Sequence, residues 1–145
     1  MISSTIVTWI GVSTAAIFFG LGMLHVYWAL ARSSPSAAVI PSHAGQSLFR
    51  PTPATTLLVA LALLICALLA LGALGIGRLG LPGWLFKAGT WAVAATFLLR
   101  AIGDFRYMGF FKTVRDTPFA RNDSRLFAPL CVWIAICCAV LGAFV

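Results

Sequence analysis

Leu98–Arg125, LLRAIGDFRYMGFFKTVRDTPFARNDSR, holds six of the ten Lys and Arg residues and all three acids of a chain that is otherwise close to hydrocarbon. It closes one long apolar run and precedes another, with Phe and Tyr interleaved among Arg and Lys. That pattern marks the place where a membrane helix leaves the bilayer and meets water and lipid phosphate. Reading outward in both directions from this segment gives the topology of the whole chain.

Apolar runs of about 20 residues, enough to cross ~30 Å of hydrocarbon, occur four times: Ser4–Ala31, Ala54–Ile76, Gly83–Gly103 and Leu126–Val145. The expected fold is therefore an all-α membrane protein, a compact bundle of four transmembrane helices forming one domain over residues 1–145. The first run exceeds a perpendicular crossing and should tilt or project past the headgroups. Gly77–Pro82 is a tight Gly/Pro turn, so the second and third spans should be antiparallel neighbours. Small residues four apart, at Gly11/Ala15, Ala62/Cys66/Ala70, Ala135/Ala139 and Cys138/Gly142, allow the close backbone approach on which helix packing in lipid depends.

Composition supports the same class. Of 145 residues, 61% are hydrophobic and 9% charged, and the mean hydropathy is +1.03; such a chain cannot cover a water-soluble globule with polar surface. A net charge of +7 and a pI of about 10.1 would fit nucleic acid in a soluble protein. Here the basic residues flank apolar spans, so anionic lipid is the expected partner and nucleic acid is not. Cys66, Cys131, Cys137 and Cys138 all fall in apolar runs with no C-x-x-C pair, and read as small apolar helix residues. No cofactor and no metal are expected, since His25 and His43 are the only histidines and no ligand spacing recurs. Arg32 is the first charged residue, so the N-terminal run lacks the basic start of a secretory signal and reads as a permanent span.

The two longer connections, 32–53 and 104–125, lie on the side opposite the short turn. Arg32, Arg50, Arg100, Arg106, Lys112, Arg115, Arg121 and Arg125 fall on that side, against Arg78 and Lys87 on the other. The positive-inside rule makes the long loops cytoplasmic and puts both termini outside, in a bacterial inner membrane. The first long loop, rich in Pro and Ser, resists continuous helix, and its apolar centre Ala37–Ile40 can reach the interface. The second, with Phe105, Tyr107, Phe110, Phe111, Phe119 and Phe127, suits a segment lying in the headgroup plane, and Lys112, Arg115, Arg121 and Arg125, with Arg50 of the first loop, are the expected lipid contacts.

Few side chains in the spans are capable of chemistry. His25 lies near the end of the first span, and Arg100 and Asp104 near the end of the third, at a similar predicted depth. Arg100 and Asp104 are four apart and share a helix face. They form either a structural ion pair or, with Arg106, an anion site in which Arg100 meets a phosphate or carboxylate. His25, followed by Tyr27 and Trp28, is either a hydrogen-bonded core histidine or one partner in proton transfer with Asp104. Asp116 and Asp123 read as solvated partners of neighbouring Lys and Arg. The nucleotide-binding, zinc-protease and serine-hydrolase motifs are missing, and the span interiors carry almost no charge of the kind a proton pump needs.

In LHVYWAL (Leu24–Leu30), LFRP (Leu48–Pro51), RAIGDFRYMGFFK (Arg100–Lys112) and TPFARNDSRLFAPL (Thr117–Leu130) the chain resembles a family of small bacterial membrane proteins known as domain of unknown function 3995. The resemblance implies a four-span inner-membrane protein with no established activity. It carries His25, Tyr27, Trp28, Arg50, Arg100, Asp104, Arg106, Lys112, Arg121, Asp123 and Arg125 as characteristic residues, without catalytic roles.

The leading functional expectation is a non-enzymatic bundle that binds an anionic lipid or amphiphile at its cytoplasmic face through Arg100, Asp104, Arg106, His25, Tyr27 and Trp28, or serves as an accessory subunit of a membrane complex. The alternative is a membrane enzyme on a lipidic substrate, with His25 and Asp104 as candidate catalytic groups and Arg100 holding an oxyanion, in a cavity between spans one and three. A third reading is a small transporter of apolar compounds.

Overall fold

Ser4–Leu30 forms a single helix, α1, of 27 residues, about 40 Å long at 1.5 Å per residue. The computed structural model describes residues 4–31, 38–43 and 46–144; Arg32, Pro35, Ala37 and Val145 lie outside them. After α1 the chain makes a two-residue antiparallel ladder, β1 (Ser42–His43) with β2 (Gln46–Ser47), pairing Ser42 with Ser47 and His43 with Gln46. Thr52 then starts α2 (Pro53–Ala73): its hydroxyl accepts from the Thr55 N–H, Thr55 Oγ1 accepts from the Thr52 N–H, and Pro53 stands at the first helical position. These are the groups a helix start requires.

α2 stops at Ala73, three residues before the end of its apolar run. Gly75 and Gly77 have positive φ there, and Arg78 reaches back to close the helix end, donating from Nε to the Gly72 carbonyl at 2.8 Å while its guanidinium lies over the Phe86 ring. α3 follows as Gly83–Ile102 and ends at Gly103, φ 88°. The last span starts earlier than its hydropathy implies. Thr117 caps a short helix, α4 (Pro118–Asn122), which continues through a π-helical turn, Asp123–Phe127, into α5 (Ala128–Phe144).

Among the described residues, four helical stretches, Ser4–Leu30, Pro53–Ala73, Gly83–Ile102 and Pro118–Phe144, are long and apolar enough to cross a membrane. The chain is a multi-pass membrane protein of four helices. They pack chiefly as two pairs, α1 with α2 and α3 with α5, while α2 and α3, joined by the short turn, touch less extensively. Phe18, Ala67, Ala70, Ala94, Ile134, Cys138 and Leu141 form the buried centre, with Phe97 edge-on to Phe18.

Small residues set the closeness of these contacts. A Cβ on Gly72 would lie 2.1 Å from the Phe86 ring, and one on Gly142 would lie 2.8 Å from the Trp91 indole, so both glycines are places where a ring rests against bare backbone. Of the small-residue pairs expected above, Gly11/Ala15 and Cys138/Gly142 are buried, whereas Ala62 is exposed.

Candidate functional site

The second long loop does not lie flat. It folds into a hydrogen-bonded knot on the end of the bundle, built on a crossing of two glycines. Gly103 and Gly109 both have positive φ, and a Cβ on Gly103 would fall 1.8 Å from the Met108 carbonyl oxygen. Only glycine permits that conformation at that separation. Between them Asp104 Oδ1 accepts from the backbone N–H groups of Arg106, Tyr107 and Met108 at 3.0, 2.7 and 2.9 Å. Burial by itself would raise the Asp104 pKa, but backbone N–H bonds from Met108, Tyr107 and Arg106 together outweigh it and hold the carboxyl below its ordinary value.

The crossing brings Gly109 to Asp123. This carboxylate is fully buried: Oδ2 accepts from the Gly109 N–H at 2.7 Å and from Lys112 Nζ at 3.0 Å, and Oδ1 pairs with Arg100 Nη2 at 2.8 Å. Lys112 is itself only 2% exposed. Its three donors meet Gly109 O, Asp123 Oδ2 and Ser124 Oγ, which satisfies an ammonium fully. Two cations thus share one carboxylate, and the surplus charge rests on Arg100, whose side chain is 30% exposed and whose buried Nη1 has no partner among the described residues.

Several expectations are corrected here. Arg100 does not pair with Asp104, because the helix ends at Gly103 and Asp104 turns into its own loop. Asp123 is not a solvated partner of Arg121 and Arg125, and Lys112 is not a lipid contact; Thr117 caps a helix six residues before Asp123, the first residue of the π turn, which turns Asp123 inward toward Lys112. That cap, T-P at a helix start, was the available signal. Arg115, Arg121 and Arg125 do lie exposed, as does Arg106, with its guanidinium over the Tyr107 ring.

His25 lies elsewhere. Its Nδ1 contacts the Leu21 carbonyl at 2.8 Å and its ring meets Trp28 edge-on at 5.1 Å. Both rings line a cavity of about 410 Å³ between α1, the first long loop and α2, whose walls include Ile40, Phe49, Val59 and Arg50. The expected cavity between spans one and three is replaced by this one, and Arg100 and Asp104 do not line it. Tyr27 is 63% exposed and also outside it. Two further grooves, one on α1/α2 near Phe19 and one on α3/α5 near Trp91, are lined almost entirely by apolar residues.

The residues missed from sequence are the cavity's apolar wall: Val39, Ile40 and Phe49 from the loop, Thr52 to Val59 from α2. Their signal was an apolar cluster in a loop otherwise rich in Pro and Ser. The hydroxyls of Thr55 and Thr56 both donate to the Thr52 carbonyl; the other polar side chains of the described lining are Arg50, His25, the Trp28 indole N–H and Thr52. Arg50 is exposed, with no hydrogen bond or ion pair to another described residue. Loop and knot are joined: Asn122 Nδ2 donates to the Ala38 carbonyl at 3.2 Å, and His43 meets Tyr107 edge-on at 6.0 Å. No group of three or more potential metal-ligating side chains occurs among the described residues.

The matching family model is described as a protein of unknown function, DUF3995, and it covers residues 4–138. The chain belongs to this family. The match takes in both the His25 cavity and the Asp123 knot. No curated protein and no solved structure matches the chain.

Replacing Asp123 with Asn removes the counter-charge of the buried Lys112 ammonium, a change that costs about 3–5 kcal/mol when one partner of a buried pair is lost. Thermal unfolding in detergent should show a large drop in Tm for Asp123→Asn, and almost none for Arg121→Ala on the exposed side of the same helix. Equal Tm values for the two variants would refute the knot's structural role.

The Asp104 carboxyl carries a lowered pKa in the fold, so its stabilising effect is complete above the ordinary carboxylate value of 3.8 and disappears as pH falls through the lower folded value. The Tm advantage of the unaltered protein over Asp104→Asn should therefore be constant at neutral pH and shrink below that range. An advantage that grows on acidification would contradict the hydrogen-bonding arrangement.

Proposed function

We propose that this protein binds an anionic amphiphile drawn from the membrane, in the cavity between α1, the first long loop and α2. The observation that carries the reading is the cavity itself: the Arg50 guanidinium, without a partner among the described residues, set beside a half-open, largely apolar cavity of about 410 Å³. A pocket of that size suits a headgroup and the first part of a chain, with apolar walls for the chain and a few polar groups to fix the head. Arg supplies a planar fork of donors suited to phosphate or carboxylate. Arg100 and Lys112 are held by Asp123, so they support the site through the loops and leave headgroup recognition to Arg50 and His25.

The long-loop face is the cytoplasmic one in this proposal, with the membrane a bacterial inner membrane. The excess of Lys and Arg on that side supports it, and the exposed Arg106, Arg115, Arg121 and Arg125 would sit among anionic headgroups there.

Native mass spectrometry of protein released from nanodiscs tests the ligand reading. Arg50→Ala should weaken retention of anionic lipid by roughly ten- to hundred-fold, the worth of one charge-assisted contact, while Arg121→Ala and Arg125→Ala retain it. If Arg50→Ala retains anionic lipid as the unaltered protein does, the cavity is not the binding site. Orientation is tested with Gln46→Cys and Leu79→Cys, both at exposed positions: in sealed vesicles a membrane-impermeant maleimide should reach them from opposite sides, Gln46→Cys from the cytoplasmic one. Labelling from one side only would overturn the topology, and labelling with the sides reversed would overturn the orientation.

A further inference from the structure

The second long loop returns to the depth at which it left the bundle. α3 is 20 residues long, about 30 Å and so one thickness of hydrocarbon, which puts its end at Gly103 near the boundary with the headgroups. From there the chain runs out through Phe105 and comes back: Gly109 crosses Gly103, and the Phe110 N–H donates to the Ala101 carbonyl, in the last turn of α3, at 2.8 Å. Phe105, Phe110 and Phe111 are thereby held close to the level at which α3 ends, and all three are exposed. Phe105 and Phe111 lie side by side, ring centroids 6.2 Å apart, and are 61% and 62% exposed. Phe105 also has a positive φ, 61°, a left-handed conformation that an L side chain adopts only at a cost. The three backbone N–H groups bound to Asp104 and the glycine crossing hold it there. A rigid frame thus presents a strained phenylalanine and its ring partner outward, where a paired apolar surface calls for a cover.

We propose that Phe105 and Phe111, with Phe110, form an interfacial anchor seated in lipid at the boundary between hydrocarbon and headgroups. Lipid is the occupant because the chain crosses a membrane and the exposed Leu98 and Leu99, in the last two turns of α3, already belong to its lipid-facing wall. The aromatic patch continues that wall to the boundary, where rings bury apolar area and neighbouring arginines reach outward to phosphate. Arg106 and Arg115 are exposed next to the patch in sequence, as is Asp116. The anchor has a mechanical consequence. It fixes the depth of the knot, and so keeps Arg100, Lys112 and Asp123 at the edge of the hydrocarbon, where charged groups cost less than at its centre. None of the three phenylalanines lines the His25 cavity, so the anchor is independent of the amphiphile reading.

Spin-label accessibility tests the anchor in the full-length protein reconstituted into dioleoyl phosphatidylcholine vesicles. Phe105→Cys and Phe111→Cys, both at exposed positions, carry a nitroxide, and the unaltered protein labelled in parallel gives the background from its own four cysteines. Two relaxing agents are compared: oxygen, which concentrates in lipid, and a nickel chelate, which stays in water. Leu99→Cys supplies the lipid reference and free label in buffer the aqueous one. The expected result at both positions is a loss of nickel access relative to buffer, with oxygen access retained at the level of Leu99→Cys. Nickel access as high as in buffer at both positions would place the rings in water and overturn the anchor. Loss of access to both agents would mean that protein covers the pair, a second copy or another part of this chain, and would overturn lipid as the occupant. Lipid contact at Phe111→Cys with free nickel access at Phe105→Cys would overturn the part given to the strained residue.

Discussion

The long-loop end of this bundle depends on one buried carboxylate. Asp123 joins the end of α3 through Arg100, the glycine crossing through the Gly109 N–H and the second long loop through Lys112. The buried carboxylate and ammonium would each be costly alone, and each is paired, with only Arg100 Nη1 left without a partner among the described residues. The arrangement explains the π turn at Asp123–Phe127: the extra residue in that turn lets Asp123 face the knot while α5 continues with its core residues against α3. π turns tend to occur where a side chain must be aimed in this way.

The knot also bears on the cavity, although no residue of the Asp123 network lines it. Asn122, the neighbour of Asp123, holds the Ala38 carbonyl, and Tyr107, whose N–H is fixed by Asp104, packs against His43. Both contacts fall on the loop that supplies Val39, Ile40, Phe49 and Arg50 to the cavity. The wall of the proposed site therefore rests on a rigid polar assembly in an otherwise apolar molecule. Lys112 and Asp123 thus support the loop that walls the cavity without lining it themselves.

The spans were legible because hydropathy is summed over some twenty residues, and no single side chain can reverse it. Their ends were less so: α2 stops short where Gly75, Gly77 and Arg78 intervene, and the last span begins at Pro118 because Thr117 caps it. Hydropathy does not register caps. Pairing of charges was the least legible feature. The i, i+4 spacing of Arg100 and Asp104 is a statement about a continuing helix, and Gly103 ends that helix between them. Asp123 is 23 residues from Arg100, and only the glycine crossing of the intervening loop brings them together. His25 and Arg50 meet at one cavity for a similar reason, since α1 and α2 are the closest-packed pair and the loop between them folds back.

Among the described residues, accounting for the cations on the long-loop side leaves one beside an apolar cavity. Arg100 and Lys112 are bound to Asp123; Arg115 donates to the Lys112 carbonyl; Arg106 lies over its neighbour Tyr107. Arg121 and Arg125 are exposed on the outer face of the last span, where a headgroup can reach them without being enclosed. Arg50 alone combines an unengaged guanidinium with an apolar enclosure and a second polar group, His25. An anion held there loses water on its apolar sides and gains a charge-assisted contact, which strengthens as the surroundings become less polar. On the open face the same contact would be screened by salt and weak. In the proposed reading, discrimination among anionic lipids therefore belongs to the cavity, and the outer arginines would add only unselective attraction to the membrane surface.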